Sequence, residues 1–467
     1  MSAEIEWLSA SDILTAYRRK DLSPVEVAET TLRRAEKLNP ALNAFCLLDP
    51  EAARKSARES EARWHKGQPL GLLDGIPISV KDIILTRGWP TLRGSRAVNP
   101  NQAWNEDGPA VARLREHGAV LFGKTTTSEF AAKAVTNTAL CGITRNPWDL
   151  SRTPGGSSGG AAASVAAGIS ALALGTDAGG SIRMPAGFCG IFGFKPGGGR
   201  VPMYPPTPYA TLAGFGPLAR TVTDAALMLT AISGPDHRDW EALPHDPVQY
   251  HERLASDPRS WRIAWSPTLC GAKVDREVAA LTAEAARVFE RLGARVETVE
   301  KVFDDPRELL FKLMKGLTSY AFRSFTPEQL SVMDPDLVER IAESRSATVD
   351  AHLDAEMQRA QFARQMNEFH QTYDFLLTPV LAVPAFAADR DEPEGYGKRD
   401  WYPFTFPFNL TRQPAASLPC GFTAQGLPVG LQIVGPRHRD LQVLQAAHAY
   451  EQAAPWASRR PPLALQN

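Results

Sequence analysis

The clustering of glycine constrains the fold of this chain more than any other feature of its sequence. Seventeen of its 35 glycines lie in a stretch of 75 residues, between Gly142 and Gly216. The total is close to the average share of about 7%, which argues against a collagen-like or low-complexity chain. Glycine permits tight turns and close approach between backbone segments. We therefore expect one region of the fold to depend on such turns and contacts.

Length and charge narrow the class of protein. The chain has 467 residues, 51 Lys plus Arg against 52 Asp plus Glu, and a formal net charge of −1. It has no internal repeat and no low-complexity linker, so we predict one large domain over 1–467. A balanced charge lacks the electrostatic signature of proteins that bind nucleic acid or anionic membranes. We expect neither as a partner.

Cysteine usage and the N-terminus bear on the compartment. The five cysteines form no C-x-x-C pair, which favours a reduced compartment. The first residues are acidic and lack the basic and apolar regions of a signal peptide. The longest run of low polarity, 161–175, is shorter than the roughly 20 residues of a spanning helix. We therefore expect a cytoplasmic protein. The nine histidines show no metal-ligand spacing, so we expect no zinc site.

Hydrophobic periodicity predicts an α/β fold with a mixed central β-sheet flanked by helices. Helical spacing follows a capping box at Ser23 and recurs at 108–116 and 275–292. Short apolar runs predict buried strands, at 76–80, 119–122, 171–174, 261–265, 294–299 and 376–383. Within the single domain we expect a helical region over 1–70, a catalytic core over 73–225 and a helical surface layer or lid over 300–370.

Two glycine motifs imitate nucleotide-binding loops. The segment 118–125 matches the P-loop pattern, but its centre is an apolar strand and a helix precedes it, whereas a P-loop follows a strand. The segment 214–219 imitates a dinucleotide fingerprint but has no strand before it and contains a proline. We predict a turn there, and no phosphate site at either segment.

The chemistry-bearing residues lie in and near the glycine cluster. Ser157 and Ser181 both emerge from glycine-rich turns, and Gly179 and Gly180 leave amide groups bare beside Ser181. A turn serine or a helix-cap serine would look the same. Lys81 ends an apolar strand, where desolvation would lower its pKa and favour the neutral form. A lysine that reaches solvent or pairs with Asp82 is the alternative.

A serine esterase is a second interpretation. The residues 155–159 match the G-x-S-x-G nucleophile elbow, with Ser157 as nucleophile and a downstream histidine, either His438 or His448.

In combination, the motifs resemble the amidase signature family of serine hydrolases. The resemblance rests on the strand lysine Lys81, on Gly-Gly-Ser-Ser-Gly-Gly at 155–160 and on Gly-Thr-Asp-Ala-Gly-Gly-Ser-Ile-Arg at 175–183. Further matches cover nearly the whole chain, at 123–125, 129–130, 145–148, 216–221, 419–422 and 427–432.

The resemblance implies a Ser-cisSer-Lys triad and an amidohydrolase that needs no metal and no organic cofactor. Ser181 would be the nucleophile, and Ser157 would pass its proton to a neutral Lys81. The oxyanion would be held by the amides of Ala178, Gly179, Gly180 and Ser181. Asp177 and Arg183 would hold the nucleophile loop, and Ser158 would add a hydrogen bond. The substrate would be a small linear carboxylic amide, cleaved to the acid plus ammonia or amine, with a homodimer as a possible assembly.

Departures from the family pattern bear on the substrate. Many relatives have Thr at Ala178 and Asp at Ala213. The helical region 309–369 lacks the glutamine-recognition pattern of the A-type subunit of tRNA-dependent amidotransferases, although an ammonia-supplying subunit of that type is an alternative. An aromatic cluster follows, and its spacing by two residues suggests one face of an extended segment. These side chains either line an acyl or aryl pocket or pack in the core. They are Trp401, Tyr402, Phe404, Phe406 and Phe408.

Overall fold

A mixed sheet of eleven strands runs through the computed structural model of the chain, which describes residues 4–209 and 211–465. Two further short strands form a separate hairpin. In chain order the strands are β1 Phe45–Leu48, β2 Pro77–Lys81, β3 Val120–Thr125, β4 Asn137–Thr138, β5 Gly142–Ile143, β6 Leu172–Asp177, β7 Phe192–Lys195, β8 Gly214–Ala219, β9 Arg262–Trp265, β10 Arg295–Thr298, β11 Phe375–Pro379, β12 Ala415–Phe422 and β13 Pro428–Val434. Their order across the large sheet is β1-β3-β2-β6-β8-β7-β12-β13-β11-β9-β10.

Helices precede, connect and follow these strands. They are α1 Ala10–Arg19, α2 Pro24–Leu42, α3 Pro50–His65, α4 Pro109–Glu116, α5 Gly159–Ala166, α6 Arg183–Cys189, α7 Val222–Ile232, α8 Arg276–Arg291, α9 Arg307–Ala321, α10 Pro327–Ser331, α11 Pro335–Ser344, α12 Val349–Phe369, α13 Pro407–Leu410 and α14 Asp440–Ala453. The α/β class and the mixed central sheet predicted above are confirmed. No helix in the two described ranges has the length and apolarity to span a bilayer.

Local sequence signals predict the right element types in most places. The Ser23 hydroxyl accepts the Glu26 amide, the Glu26 carboxylate accepts the Ser23 amide, and α2 follows, as the capping box predicts. The unit β9-α8-β10 has parallel strands, and Gly293 follows α8 at a φ of +94°. The strand predicted over 376–383 is shorter, because the ladder ends at Pro379.

The turn predicted over 214–219 is wrong. These residues form β8, which pairs antiparallel with β6 on one side and β7 on the other. A Cβ on Gly216 would collide with the Phe194 carbonyl oxygen. This glycine therefore permits close approach between strands, which a search for turn residues misreads.

The aromatic segment is also not extended as predicted. Residues 401–406 form turns, and Pro407–Leu410 is the short helix α13. Phe404, Phe406 and Phe408 are each no more than 2% exposed. They lie in a buried cluster with Leu313 and Phe362, so the structure favours the core-packing interpretation of these three rings.

Candidate active site

Three neighbouring parallel strands bring the sequence-predicted residues to one edge of the sheet. β2 pairs in parallel with both β3 and β6, so the carboxyl ends of all three meet at this edge. Lys81 is the last residue of β2, and Thr176 and Asp177 end β6. Open α/β sheets bind ligands beyond the carboxyl ends of their strands. This edge is the candidate active site.

Lys81 is fully buried at this edge, with 0% exposure. Its Nζ lies 2.7 Å from Ser157 Oγ, 2.8 Å from Ser158 Oγ and 2.9 Å from Thr176 Oγ1. Within the described ranges, it has no carboxylate within 4.0 Å. Burial holds the pKa of Lys81 well below its ordinary value, opposed by the negative charge of Asp177. A neutral lysine donates two hydrogen bonds and accepts one, so three hydroxyls satisfy it.

The turn that carries Ser157 depends on glycine for close packing. The peptide bond between Gly156 and Ser157 is cis. A Cβ on Gly156 would lie 2.6 Å from the Val135 carbonyl carbon, which a side chain cannot tolerate. Thr136 braces the same turn, because its hydroxyl donates to the Gly155 carbonyl at 2.8 Å and accepts the Gly159 amide at 3.1 Å. No sequence signal points to Thr136.

Ser181 follows β6 on the loop that leads into α6, and it is 8% exposed. Its carbonyl accepts the Ser158 amide at 3.2 Å, which joins the two serine-bearing segments. No hydrogen bond to its hydroxyl occurs among the contacts of the described residues. Ser157 Oγ lies 2.7 Å from Lys81 Nζ, close enough for its hydroxyl to donate to the lone pair of a neutral lysine.

The predicted oxyanion amides differ in their contacts. The Gly180 amide donates to Asp177 Oδ1 at 2.7 Å, so an oxyanion would have to compete with a carboxylate for it. The amides of Ala178, Gly179 and Ser181 have no acceptor among the described residues. Gly180 has a φ of +127°, a conformation that L side chains rarely adopt. Loop geometry thus makes these three amides the available donors.

Asp177 and Arg183 form a buried ion pair behind the nucleophile loop. Arg183 Nη2 lies 2.9 Å from Asp177 Oδ1, Arg183 Nε lies 3.0 Å from Oδ2, and both side chains are 0% exposed. Burial alone would raise the pKa of Asp177, but the guanidinium outweighs it and holds that pKa below its ordinary value. Asn409 Nδ2 donates to Asp177 Oδ1 at 2.9 Å, and Arg183 Nη1 donates to Gln432 Oε1 at 2.8 Å. Sequence reasoning missed both amide side chains, which come from distant segments.

A second group that the sequence did not single out is Lys195, at the end of β7. It is buried and donates to the Pro196 carbonyl at 3.0 Å. Burial, reinforced by the charge of Arg183, lowers its pKa to about 7. Lys195 also helps to hold the pKa of Asp177 low.

The rival serine–histidine arrangement finds no supporting contact. The side-chain partner of Ser157 Oγ within the described ranges is Lys81. His448 lies on α14 and contacts Gln452 at 3.4 Å, while His438 follows β13 with a φ of +66°. The P-loop imitation is β3, and its Lys124 is buried in the protein.

Comparisons with known proteins agree on one family. A family model described as Amidase matches residues 26–444. An acylamidase from Rhodococcus erythropolis is 36% identical over 474 residues, covering 98% of each chain. A glutamyl-tRNA(Gln) amidotransferase subunit of the A type, from a Cyanothece species, is 37% identical over 470 residues, covering 95% of this chain and 97% of that one.

Solved structures give the same result. A bacterial aryl acylamidase of the amidase signature family superposes with a TM-score of 0.89 at 32% identity, covering 97% of this chain and 98% of that one. A 6-aminohexanoate cyclic dimer hydrolase in complex with substrate superposes with a TM-score of 0.88 at 28% identity, covering 99% and 100%. The fold and the sequence therefore point to one family.

Proposed function

This chain belongs to the amidase signature family, amidohydrolases that act on carbon–nitrogen bonds, and we propose that it cleaves small linear carboxylic amides. The products would be the carboxylic acid and ammonia or an amine. The chemistry would proceed through an acyl-enzyme on Ser181, with Lys81 as the base and Ser157 as the group between them.

In the first step Ser181 Oγ attacks the amide carbonyl carbon. Its proton passes to Ser157 Oγ as Ser157 gives its own proton to the neutral Lys81 Nζ. The negative carbonyl oxygen accepts hydrogen bonds from the amides of Ala178, Gly179 and Ser181. The carbon–nitrogen bond then breaks, and the proton returns through Ser157 to the leaving nitrogen.

In the second step a water molecule attacks the ester carbon of the acyl-enzyme. The same pair accepts one proton of the water and returns it to Ser181 Oγ as the carbon–oxygen bond to the enzyme breaks. The carboxylic acid leaves, and Lys81 is neutral again.

The environment of Lys81 carries this proposal. A buried lysine that contacts three hydroxyls and no carboxylate loses its proton more readily than one in water. A purely structural lysine at this depth would be expected to have an anionic partner. The hydroxyl nearest its nitrogen belongs to Ser157, which the family resemblance places in the triad.

The test is turnover by the purified chain alone on a panel of linear aliphatic amides, anilides and cyclic amides, followed by ammonia or amine release. We expect linear substrates to be cleaved, and the Ser181→Ala variant to lose at least a thousandfold in kcat, as nucleophile removal does elsewhere. A fluorophosphonate probe should label Ser181. Labelling of Ser157, or full activity in Ser181→Ala, would refute the triad.

A second candidate is an ammonia-supplying amidotransferase subunit, because relatives of that description are as similar to this chain as the acylamidase is. Release of ammonia from simple amides without any partner protein would favour the independent enzyme. A chain that is folded but inactive alone on the whole panel would favour the second candidate.

A further inference from the structure

A cavity of about 640 Å³ lies outside the candidate active site, because none of the proposed triad or oxyanion residues lines it. Its walls come from the loop over 85–106, from Phe130, and from Phe325 and Gln329 of the helical layer. Small-molecule sites in proteins usually measure about 300–1,000 Å³ and combine apolar walls with a few placed polar groups. This cavity has a volume in that range, and its lining is half polar and half apolar.

The one arginine of this cavity lacks an acceptor. Arg93 is half-buried, and its guanidinium makes no hydrogen bond or ion pair with any residue in the described ranges. Burial lowers the pKa of Arg93, although the negative charge of Asp82 opposes that effect. A guanidinium has five N–H donors, and those of Arg93 have no acceptor among the described residues and are left to solvent. A ligand in the cavity could supply the missing acceptors.

The backbone fixes the position of this arginine. Asp82 accepts the amides on either side of Arg93, those of Leu92 and Gly94, each at 3.1 Å. Arg93 has a φ of +56°, and the Phe130 amide, whose residue has a φ of +49°, donates to the Arg93 carbonyl at 2.8 Å. Left-handed backbone at residues other than glycine is uncommon and concentrates at functional sites. Two such residues bonded to each other form this wall.

The remaining lining indicates the body of the ligand. Trp104, Phe130 and Phe325 present aromatic surface, with Phe130 and Phe325 in edge contact at 5.6 Å between ring centroids. Glu106, exposed at the rim, is the acidic residue of the lining. Arg93 supplies the one positive charge of this lining, which suits a singly charged anion better than a phosphate of two charges.

We propose that this cavity binds a small molecule with one carboxylate on an apolar or aromatic body, and that Arg93 holds the carboxylate through paired N–H donors. The carboxylate could be the remote end of a substrate that reaches Ser181, or belong to a separate acid that binds on its own. Both sources share the same recognition chemistry. Binding of a free acid is independent of the reaction proposed at Ser181.

The test uses calorimetric titration of the full chain with benzoate, 3-phenylpropanoate and 4-phenylbutyrate, each beside its primary alcohol. Arg93→Gln removes the charge, Arg93→Lys retains it without the fork, and Arg96→Gln is the matched control because Arg96 is exposed and lies outside the lining. We expect at least one acid to bind wild type and Arg96→Gln about 10- to 100-fold more tightly than its alcohol. Arg93→Gln should abolish that preference, and Arg93→Lys should retain part of it.

Equal binding of every acid and alcohol by wild type, or an acid preference that survives Arg93→Gln, would overturn the proposal. Thermal unfolding of each variant shows whether it is folded. If Arg93→Gln does not fold, the Arg93→Lys titration decides the question. An acid preference unchanged in Arg93→Lys would contradict a contact through paired guanidinium N–H donors.

Two kinetic experiments distinguish a carboxylate that belongs to the substrate from one that belongs to a separate acid. If the carboxylate belongs to the substrate, Arg93→Gln should raise KM for a carboxylated anilide and leave the neutral anilide unchanged. If it belongs to a separate acid, that acid should change turnover of the neutral anilide in wild type and not in Arg93→Gln. An enzyme inactive on all amides would refute the proposed function while leaving the titration informative.

Discussion

Two lysines on adjacent strands share burial and differ in what surrounds their nitrogen atoms. Lys81 and Lys124 are both 0% exposed, and Lys124 of β3 is paired in register with Val80 of β2, the residue before Lys81. Lys81 Nζ meets three hydroxyls. Lys124 Nζ donates to the Ile84 carbonyl at 2.7 Å and to Thr91 Oγ1 at 2.8 Å, and it also lies 3.7 Å from Asp82 Oδ1.

The difference shows what decides whether a buried lysine keeps its proton. Burial lowers the pKa of Lys124 to about 8, opposed by the charge of Asp82. Lys81 has only the more distant Asp177 to oppose burial, and its pKa lies well below the ordinary value. Equal burial therefore yields a structural cation at one strand end and a candidate base at the next.

The largest expected effect separates the two lysines by activity. Lys81→Ala should lower kcat about 10²- to 10⁴-fold, the usual range for a lost acid–base group, while folded Lys124→Ala should stay within about tenfold of wild type because it removes no proton acceptor. Lys81→Arg should not restore activity, since a guanidinium stays charged. Steady-state kinetics on one cleaved amide measures all three. A loss well under tenfold in Lys81→Ala would exclude it as the base.

In stability, Lys124→Ala should be the more damaging of the two alanine variants, whereas Lys81→Ala should be the more damaging in activity. Lys124→Ala leaves Asp82 buried without its cation, and breaking a buried pair from one side costs about 3–5 kcal/mol. Lys81→Ala leaves only hydroxyls around the vacated position, and these can hydrogen-bond to one another. The free energy of unfolding should therefore fall less in Lys81→Ala than in Lys124→Ala. Urea unfolding of both variants gives the comparison. Equal losses would mean that the Asp82 contact adds nothing.

The pH dependence should follow Lys81 alone. The proton acceptor is the neutral amine, so kcat/KM should be constant above the pKa of Lys81 and fall about tenfold per pH unit below it. Because Lys124 is not among the groups that shift the Lys81 pKa, Lys124→Ala should keep the same acid limb. If the acid limb of the kcat/KM profile shifts in Lys124→Ala, the titrating group would be Lys124 and not Lys81.

A smaller effect tests the three hydroxyls around Lys81 Nζ, those of Ser157, Ser158 and Thr176. Ser158→Ala removes the partner 2.8 Å from Lys81 Nζ and leaves Ser157 and Thr176 in place. The lost hydrogen bond to Lys81 corresponds to about 1 kcal/mol, so kcat should fall about fivefold, while the lost contacts of Ser158 Oγ with the Thr176 backbone should lower stability. Ser157→Ala, measured beside it, should lose far more. Equal losses of kcat in Ser157→Ala and Ser158→Ala would mean that Ser157 only hydrogen-bonds to Lys81 and does not relay the proton.

The smallest effect is expected at the histidines of the esterase alternative. His438→Ala and His448→Ala should each keep kcat within about threefold, because neither contacts the hydroxyl-lined end of β2. Turnover of the same amide is the measurement. A large loss in either one would revive a serine–histidine mechanism.

Much of the fold was predictable because its signals are local. The capping box at Ser23, the strand ending at Lys81 and the βαβ unit around α8 are each read from neighbouring residues. Gly216 was misread because its constraint is the Phe194 carbonyl of the adjacent strand. Asn409 and Gln432 escaped notice because they reach the Asp177–Arg183 pair from more than 220 residues away.

By itself, the sequence determined which chemical groups this protein has and where each sits on its strand or turn: Lys81 at a strand end, Ser157 and Ser181 on glycine turns. Only the tertiary structure decided that, within the described ranges, Lys81 contacts hydroxyls alone, that Lys124 has a carboxylate nearby in addition to its hydrogen bonds, and that the Arg93 guanidinium contacts neither kind of group. The physical reason is that periodicity and turn chemistry are properties of adjacent residues. Desolvation and pairing depend on groups brought together from distant parts of the chain.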